Sequence, residues 1–336
     1  MPAETVVITG AAAGVGRATA RAFGRRGARI GLLARGVDDL NDAAAEIESA
    51  GGKAMVLPTD VADPDAVEAA AAAIERQLGP IDIWVNCAMA TIFARFWDIT
   101  PAEYRRATEV TYLGYVYGTM AALKRMRPRD HGAIVQVGSA LAYRAIPLQS
   151  PYCGAKFAIR GFTDSVRTEL IHERSRVHVT MVQMPALNTP QFDWARNKME
   201  RRPQPVPPIF QPEVAAEAIV YAAYARRREI YVGSSTVKAI LANKLAPGLL
   251  DRYLAQNYAG QLSGEPADPG RSDNLFAAAP GRHGAHGRFD REARGRSLGL
   301  WASLHRGWLC AGIGLAAGAV LATITGRRTR RLIPAN

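Results

Sequence analysis

The sequence contains few cysteines, three in 336 residues. Cys87, Cys153 and Cys310 are odd in number and lack the short, regular spacing of metal ligands. This scarcity argues against a disulfide framework and is typical of a protein in a reducing compartment. His283 and His286 lie in a glycine-rich stretch without a cluster of cysteines or acids, so no metal site is predicted.

Acidic residues are also scarce, because 30 Asp and Glu stand against 42 Lys and Arg and leave a net charge of +12. Such a charge ordinarily favours nucleic acid or an anionic membrane as a partner. The last 76 residues alone carry 11 arginines and 5 acids, so residues 1–260 are only mildly basic. An uncharged run interrupts these arginines and interleaved aromatics are missing, so nucleic acid is not predicted as a partner.

The composition, with 48% hydrophobic and 21% charged residues, excludes wholesale disorder and collagen-like repeats. Up to about residue 260, short apolar or β-branched runs alternate with Ala-rich amphipathic stretches, a pattern typical of βαβ units. The predicted strands are 5–9, 29–34, 54–58, 81–86, 133–137, 177–183 and 229–232, and the predicted helices are 16–27, 37–51, 64–78, 101–126, 151–174 and 212–226. The sequence therefore predicts an α/β fold with a doubly wound parallel sheet of about seven strands.

Four segments are predicted along the chain: a main domain over 1–260, a Gly/Pro/Arg-rich linker over 261–306, a candidate transmembrane helix over 307–326 and a basic tail over 327–336. The third segment is uncharged and has the length of about 20 residues that spans a bilayer core. Its many glycines and alanines leave a buried helix or a glycine-rich tail as the alternative. Because no apolar segment precedes the first strand, the expectation is a membrane-anchored protein whose main domain is cytoplasmic.

A glycine-rich turn, Thr-Gly-Ala-Ala-Ala-Gly-Val-Gly over residues 9–16, joins the first predicted strand to the first helix. The N–H groups and the dipole of a helix N-terminus favour anions, and glycine permits close approach of a pyrophosphate. An ordinary tight turn is the alternative. The spacing resembles that of the short-chain dehydrogenase/reductase family, and the resemblance covers about residues 4–258. It implies a Rossmann fold and a dinucleotide held by Gly10, Gly14, Val15 and Gly16.

In this family, a residue at the end of the second strand chooses between the two nicotinamide cofactors. Here the sequence Ala-Arg-Gly at positions 34–36 has no acid for a ribose hydroxyl, whereas Arg35 offers a guanidinium that can pair with a 2′-phosphate. The resemblance therefore implies NADP(H) as the cofactor, with a solvated surface arginine as the alternative. Asp60 and Val61 resemble the adenine-contacting pair of the family, although an Asp after a strand also caps turns.

Tyr152 and Lys156 are four residues apart and so share one helix face. With Ser139, 13 residues before the tyrosine, they match the family's Tyr-x-x-x-Lys motif and serine. The resemblance implies that Tyr152 exchanges a proton with the substrate oxygen, that Lys156 stabilises its phenolate and holds the nicotinamide ribose, and that Ser139 bonds the substrate oxygen. The alternative is a buried tyrosine and a snorkelling lysine on an ordinary amphipathic helix.

Four further positions complete the family pattern, with departures. Asn86 begins Asn-Cys-Ala-Met in place of Asn-Asn-Ala-Gly, and the resemblance implies that it bonds backbone groups beside the cofactor. Thr111 stands where the family has an asparagine of a proton relay, and its hydroxyl can hold a water but lacks the two donors of an amide. Pro185 and Thr189 follow the sixth strand, and Thr189 is expected to bond the nicotinamide carboxamide.

The expected mouth of the site is apolar, which favours a small apolar carbonyl or alcohol as the substrate. Its residues include Leu141, Tyr143, Ile146, Met184 and Leu187, and a stretch with five prolines at 196–212 is predicted as an ordered excursion or a mobile lid. The leading hypothesis is an NADP(H)-dependent oxidoreductase that interconverts a carbonyl and an alcohol, attached to a membrane through residues 307–326. The alternative is a catalytically weak NADP-binding sensor or scaffold, which the departures at positions 87, 89 and 111 favour. Formation of a homo-oligomer is left open.

Overall fold

The structure is a computed structural model that describes residues 3–307. In this part of the chain the strands are β1 (Thr5–Thr9), β2 (Arg29–Ala34), β3 (Lys53–Pro58), β4 (Ile83–Asn86), β5 (Ile92–Phe93), β6 (Ala133–Val137), β7 (His178–Gln183), β8 (Ala186–Leu187), β9 (Arg196–Asn197), β10 (Arg201–Pro203), β11 (Ile209–Phe210), β12 (Glu229–Tyr231) and β13 (Leu262–Pro266). The helices are α1 (Gly14–Gly24), α2 (Val37–Ser49), α3 (Pro64–Leu78), α4 (Pro101–Thr108), α5 (Gly114–Arg129), α6 (Ser150–His172), α7 (Gln191–Trp194), α8 (Pro212–Tyr224), α9 (Ser234–Leu245), α10 (Pro247–Gln256) and α11 (Leu298–Leu304). From β1 to β4, strands and helices alternate as the sequence predicts. Helices α9 and α10 follow one another directly, and the sequence predicted neither of them.

Seven of the strands form one sheet in the order β12, β7, β6, β4, β1, β2, β3. All neighbouring strands in it pair in parallel. Strands β2 and β3 lie on one side of β1, and β4, β6, β7 and β12 lie on the other. The direction in which strands are added therefore reverses at β1, and a crevice forms beyond the carboxyl ends of β1 and β4. This arrangement confirms the predicted doubly wound parallel sheet of seven strands.

Helices cover both faces of the sheet, as a parallel sheet requires. On one face, α1, α2 and α8 bury Phe23, Ile47 and Ile219 against the strands. On the other face, α3 and α5 bury Ile74 and Met126. All five of these side chains are fully enclosed, so the loops at the crevice project from a rigid scaffold.

Helices α3 and α4 begin at strong capping residues. Asp63 accepts hydrogen bonds from two backbone N–H groups at the start of α3, and Thr100 and Glu103 form a capping box at the start of α4. The sequence predicted one helix over 101–126, whereas the structure divides it by a π-helical turn at Glu109–Leu113. Such a turn widens the helix by one residue and re-aims the side chains around it.

Residues 261–306, predicted as a linker, pack against the main domain. Strand β13 pairs antiparallel with β10, and Leu275, Ala285 and Leu300 are buried. The proline-rich stretch 196–212 is an ordered excursion in which β9, β10 and β11 pair with β5, β13 and β8. The domain boundary near residue 260 stays a prediction.

Membrane attachment was predicted for the C-terminal end of the chain. Within residues 3–307, no helix combines the length and the hydropathy that crossing a bilayer requires. The predicted transmembrane helix, apart from Gly307, and the basic tail lie outside the described residues. The membrane anchor and the cytoplasmic location therefore stay predictions.

Candidate active site

The glycine turn lies at the crevice, between β1 and α1. Gly10 has a φ of +68°, and a Cβ atom there would lie 2.8 Å from the Cα of Ala88. A Cβ at Gly16 would lie 2.1 Å from the carbonyl oxygen of Gly10, so the turn closes tightly only with glycine at both positions. The N-cap residue, Ala13, forms no side-chain cap, and the first N–H of α1, that of Gly14, donates to the Gly284 carbonyl at 3.1 Å.

One continuous cavity of about 710 Å³ runs from this turn along the carboxyl edge of the sheet. Its lining includes most of the predicted site residues: Gly10, Gly14, Val15, Gly16, Arg35, Asp60, Val61, Ser139, Tyr152, Lys156, Pro185 and Thr189. The structure therefore brings the predicted cofactor residues and the predicted catalytic residues into one space.

Arg35 lies at one end of this cavity, just after β2. Its guanidinium donates hydrogen bonds to the backbone carbonyl groups of Asn274 and Leu275, and burial lowers its pKa. The first acids after Arg35 in the sequence are Asp38 and Asp39. Asp39 is buried, and its carboxylate accepts a hydrogen bond from the backbone N–H of His283. The free N–H groups of Arg35 are thus the cationic donors at this end of the cavity.

Asp60 and Val61 lie beside Arg35, after β3. Burial acts to raise the pKa of Asp60, but the ion pair with Arg106 and the 3.0 Å hydrogen bond from the Ala62 N–H outweigh it, so the pKa is lowered. Val61 is buried against Gly114, where a Cβ atom would lie 2.8 Å from its side chain. The pair therefore offers the cavity a fixed carboxylate and an apolar wall.

Asn86 is fully buried and does not line the cavity. Its amide nitrogen donates to Gln136 Oε1 at 3.0 Å and to Thr119 Oγ1 at 3.2 Å, while its Oδ1 accepts from Trp84 Nε1 at 2.9 Å. These bonds join β4, β6 and α5. Its amide nitrogen also donates to the backbone carbonyl of Tyr115 at 3.3 Å, and the predicted role of Asn86 beside a cofactor stays a prediction.

Tyr152 and Ser139 meet where β6 ends and α6 begins. Ser139 is fixed by a 2.9 Å bond from its N–H to Gln183 Oε1 and by accepting from the Leu141 N–H at 3.1 Å. Burial raises the pKa of Tyr152 well above its ordinary value, and the hydrogen bond with Ser139 acts in the opposite direction. Tyr152 is therefore a protonated phenol at neutral pH, within reach of a serine hydroxyl.

Lys156 extends into the cavity from the next turn of α6 and is 2% exposed. Its ammonium donates to the Val137 carbonyl at 2.7 Å and to the Tyr115 hydroxyl at 3.1 Å, and lies 5.4 Å from the centre of the Tyr152 ring. Burial lowers the pKa of Lys156 to about 8, although the charge interaction with Cys87 acts in the opposite direction. The lysine thus brings a positive charge next to the tyrosine.

Tyr115 is a site residue that the sequence reasoning missed. Its hydroxyl donates to the Val137 carbonyl at 3.0 Å while accepting from Lys156, so it holds the ammonium in place. The sequence contained one indication of this role: Tyr115 comes four residues after Thr111, a spacing that places both on one helix face.

Thr111 lies within the π-helical turn and is fully buried, away from the cavity. Its hydroxyl donates to the Ala90 carbonyl at 2.8 Å and accepts from the Ala90 N–H at 2.9 Å. The proton of the hydroxyl is therefore used by the backbone, so its role here is to fix the loop after β4 rather than to donate to a water.

Thr111→Val removes both of these hydrogen bonds but keeps the shape of the side chain. We expect the free energy of unfolding to fall by about 2 kcal/mol or more, because a buried N–H and a buried carbonyl lose their partner. Thr111→Ser, which keeps the hydroxyl, should lose only about 1 kcal/mol for one methyl group. Urea denaturation followed by tryptophan fluorescence measures both, and a Val variant as stable as the wild type would refute the anchoring role.

Pro185 and Thr189 follow β7 and close the cavity from the other side. Thr189 is 7% exposed, and a Cβ atom at Gly14 would lie 3.3 Å from its side chain. The segment therefore lies directly against the glycine turn, where the sequence placed it.

The end of the cavity beyond Ser139 and Tyr152, here called the substrate end, is mostly apolar. Its walls include Leu141, Ile146, Met184, Leu187, Phe192 and the prolines at 205, 207 and 208, together with Met89. Two buried amides, Gln149 and Gln261, form a hydrogen-bonded pair there, and Gln261 also donates to the Pro147 carbonyl. The sequence predicted neither amide as a site residue, and Gln261 comes from a segment interpreted as a linker.

Comparison with known proteins finds relatives of this chain. A sequence model of the family described as short chain dehydrogenase matches residues 4–200. An uncharacterized oxidoreductase of Bacillus subtilis, YxnA, is 33% identical over 283 residues, covering 83% of this chain and 80% of the relative. A 3-ketodihydrosphingosine reductase of Bos taurus is 34% identical over 197 residues, covering 57% of this chain and 59% of the relative. A 3-dehydrosphinganine reductase of Danio rerio is 33% identical over 192 residues, covering 56% and 57%.

Proposed function

The chain belongs to the short-chain dehydrogenase family of oxidoreductases, and on this premise we propose that it interconverts a carbonyl and an alcohol on an apolar substrate with NADP(H) as the cofactor. The observation that carries the proposal is the single cavity that joins Arg35 and the glycine turn to Ser139, Tyr152 and Lys156. A cavity that ended at the glycine turn would support nucleotide binding alone.

The residues along the cavity fit a dinucleotide phosphate. Gly10 leaves room for close approach at the start of α1, and the donors of Arg35 suit a 2′-phosphate. Asp60 and Val61 would hold the adenine, and Lys156 and Thr189 would hold the nicotinamide end. The chemistry that such a cofactor supplies when bound is transfer of a hydride to the substrate carbon.

The proton chemistry belongs to the protein. In the direction of reduction, Ser139 would hold the substrate oxygen and Tyr152 would give it a proton, which burial keeps on the phenol until that step. The Lys156 ammonium would then stabilise the phenolate that remains. Tyr115 keeps that ammonium in place through the 3.1 Å hydrogen bond to its hydroxyl.

The pH dependence of the reaction should report Lys156. Since burial lowers its pKa to about 8, the side chain is a cation below that pH and neutral above it. We therefore expect kcat/KM for NADPH, which reports the free enzyme, to fall as the pH rises through about 8. Tyr152 stays protonated across this range because its own pKa is raised.

A pH–rate profile between about pH 6 and 10 measures this fall in kcat/KM, the alkaline limb of the profile. In Lys156→Met the limb should be absent and the rate low throughout. A limb near pH 8 that persists in this variant would assign the titration to another group.

For the substrate, we propose a ketone that carries a long alkyl chain. Support comes from the apolar residues of the substrate end, such as Leu141 and Phe192, and from the few polar groups among them, which include the paired amides of Gln149 and Gln261. Two relatives are named as reductases of long-chain amino ketones, 3-ketodihydrosphingosine and 3-dehydrosphinganine. The chain covers only 59% of the length of the bovine relative. That this chain acts on the same class of substrate is therefore part of our proposal.

Oxidation of NADPH with a series of methyl ketones of increasing chain length tests this function. Each added methylene that enters the cavity contributes about 0.8 kcal/mol, so kcat/KM should rise by up to about 4-fold per carbon until the cavity is filled. A series in which short polar ketones react best would contradict the apolar substrate, and NADH reacting as well as NADPH would contradict the cofactor.

A further inference from the structure

Residues 273–287, here called the strap, cross the end of the cavity that contains Arg35. They lie beyond residues 4–200, the part that the family model matches. The backbone carbonyls of Asn274 and Leu275 accept hydrogen bonds from Arg35, and the Leu275 carbonyl also accepts from Arg106 Nε at 3.1 Å. Two arginines of the main domain therefore hold the first part of the strap.

The side chain of Leu275 anchors the strap. It is 0% exposed and packs in the same cluster as Leu33, Val61 and Val110, residues of the main domain. Its neighbour Phe276 is 52% exposed. A single leucine thus supplies most of the apolar burial at this end of the strap.

The second part of the strap is held at the glycine turn. The His283 N–H donates to Asp39 Oδ1 at 2.7 Å, and the Gly284 carbonyl accepts from the Gly14 N–H at 3.1 Å. The His283 ring meets the Trp194 ring edge to face at 4.4 Å. The strap is therefore fixed on both sides of the groove, at Arg35 and at the start of α1.

Between these two attachments, the strap covers space rather than filling it. Asn274, Ala278 and Ala279 line the cavity, as Arg35 and Asp39 do. The small alanine side chains leave the cavity continuous beneath them. A strap that occupied the groove would have divided the cavity here.

We propose that the strap is a part of the cofactor site that closes over the 2′-phosphate end of bound NADP(H) and opens for cofactor exchange. The proposal rests on the proposed function. The carbonyls of residues 274 and 275 orient Arg35 toward the cavity, and the anchored Leu275 sets how often the strap opens. Release of the cofactor should then be slow, and it should depend on a residue outside the family match.

Leu275→Ala in the full chain tests this directly. We expect the rate of NADPH release, measured by stopped-flow fluorescence on displacement with excess NADP, to rise at least tenfold and the Kd to increase. Leu298→Ala is the matched control, because it is the same substitution in the same C-terminal part at a side chain that is 87% exposed. Equal release rates in both variants and the wild type would overturn the proposal, and so would tighter binding by Leu275→Ala, which would show a strap that competes with the cofactor.

The unaltered protein gives a second test in case Leu275→Ala fails to fold. Arg282 lies in the strap with its side chain 77% exposed, so trypsin should cleave after it when the strap opens. NADPH at about 100 times its Kd should slow this cleavage by up to about 100-fold, because binding favours the closed form. Cleavage after the exposed Arg174, in the loop that enters β7 at the opposite edge of the sheet, is the reference and should change much less.

These outcomes separate the two proposals. NADPH that binds but protects neither site, or both equally, would overturn the closing strap and leave the proposed function intact. Failure of the wild type to bind NADPH at all would overturn the proposed function itself.

Discussion

Replacing Tyr152 with phenylalanine lowers kcat for ketone reduction by at least about 100-fold, because the variant lacks the phenol that gives a proton to the substrate oxygen. The Kd for NADPH should stay within about twofold of the wild type, since the substitution removes one hydroxyl and leaves Lys156 and the glycine turn in place. The measurements are steady-state NADPH oxidation and a fluorescence titration of NADPH.

Tyr224→Phe is the control for this variant. It removes the same hydroxyl from a tyrosine of α8 that is 45% exposed and is bonded to Glu4, outside the cavity. Its kcat should match the wild type. A Tyr152→Phe variant that keeps most of its kcat would show that another group, or water, delivers the proton.

Arg35→Asp is expected to change the NADP to NAD preference, measured as the ratio of kcat/KM values, by at least about tenfold, or 1.4 kcal/mol. The substitution replaces a guanidinium that attracts a 2′-phosphate with a carboxylate that repels it. Arg35→Asp also removes the hydrogen bonds between Arg35 and the strap, which should weaken the binding of NADP and NAD equally. The ratio of the two kcat/KM values therefore reports the interaction with the 2′-phosphate alone.

Arg95→Asp makes the same change of charge at an exposed residue outside the cavity. If the NADP to NAD preference depended on the electrostatic field of the whole protein, both substitutions would shift it by the same amount. We expect Arg95→Asp to leave the ratio unchanged. An unchanged ratio in Arg35→Asp would mean that the phosphate is recognised elsewhere.

The fold could be predicted from the sequence because its signals are local. Strands such as β1 and β6 are short apolar runs, and α3 begins at an Asp-Pro pair that caps a helix. Parallel strands separated by helices then place their carboxyl ends at one edge. The order of the elements thus placed the ends of β2 and β6 at this edge, whereas the choice of Arg35, Ser139 and Tyr152 as site residues came from the resemblance to the family.

The parts that the sequence did not predict depend on contacts between distant segments. Asn86 and Thr111 occupy family positions, but their partners, Gln136 and the Ala90 backbone, decide that both are used within the scaffold. The strap lies within residues 261–306, whose Gly/Pro/Arg-rich composition predicts a linker. Its order comes from Leu275 fitting an apolar site formed by residues more than 160 positions earlier, which no local pattern reveals.

The central claim is that this chain transfers a hydride from NADPH to a ketone bound in the same cavity. The most direct test follows a deuterium atom from the cofactor to the product. Wild-type protein is mixed with an equal amount of NADPH that is dideuterated at C4 and with a long-chain methyl ketone, and the alcohol is analysed by mass spectrometry. The account predicts an alcohol with one deuterium on its carbinol carbon, and almost none from Tyr152→Phe in the same time. If NADPH binds but stays unoxidised and no deuterated alcohol forms with any ketone of the series, the chain is a nucleotide-binding sensor or scaffold and the proposed oxidoreductase activity is contradicted.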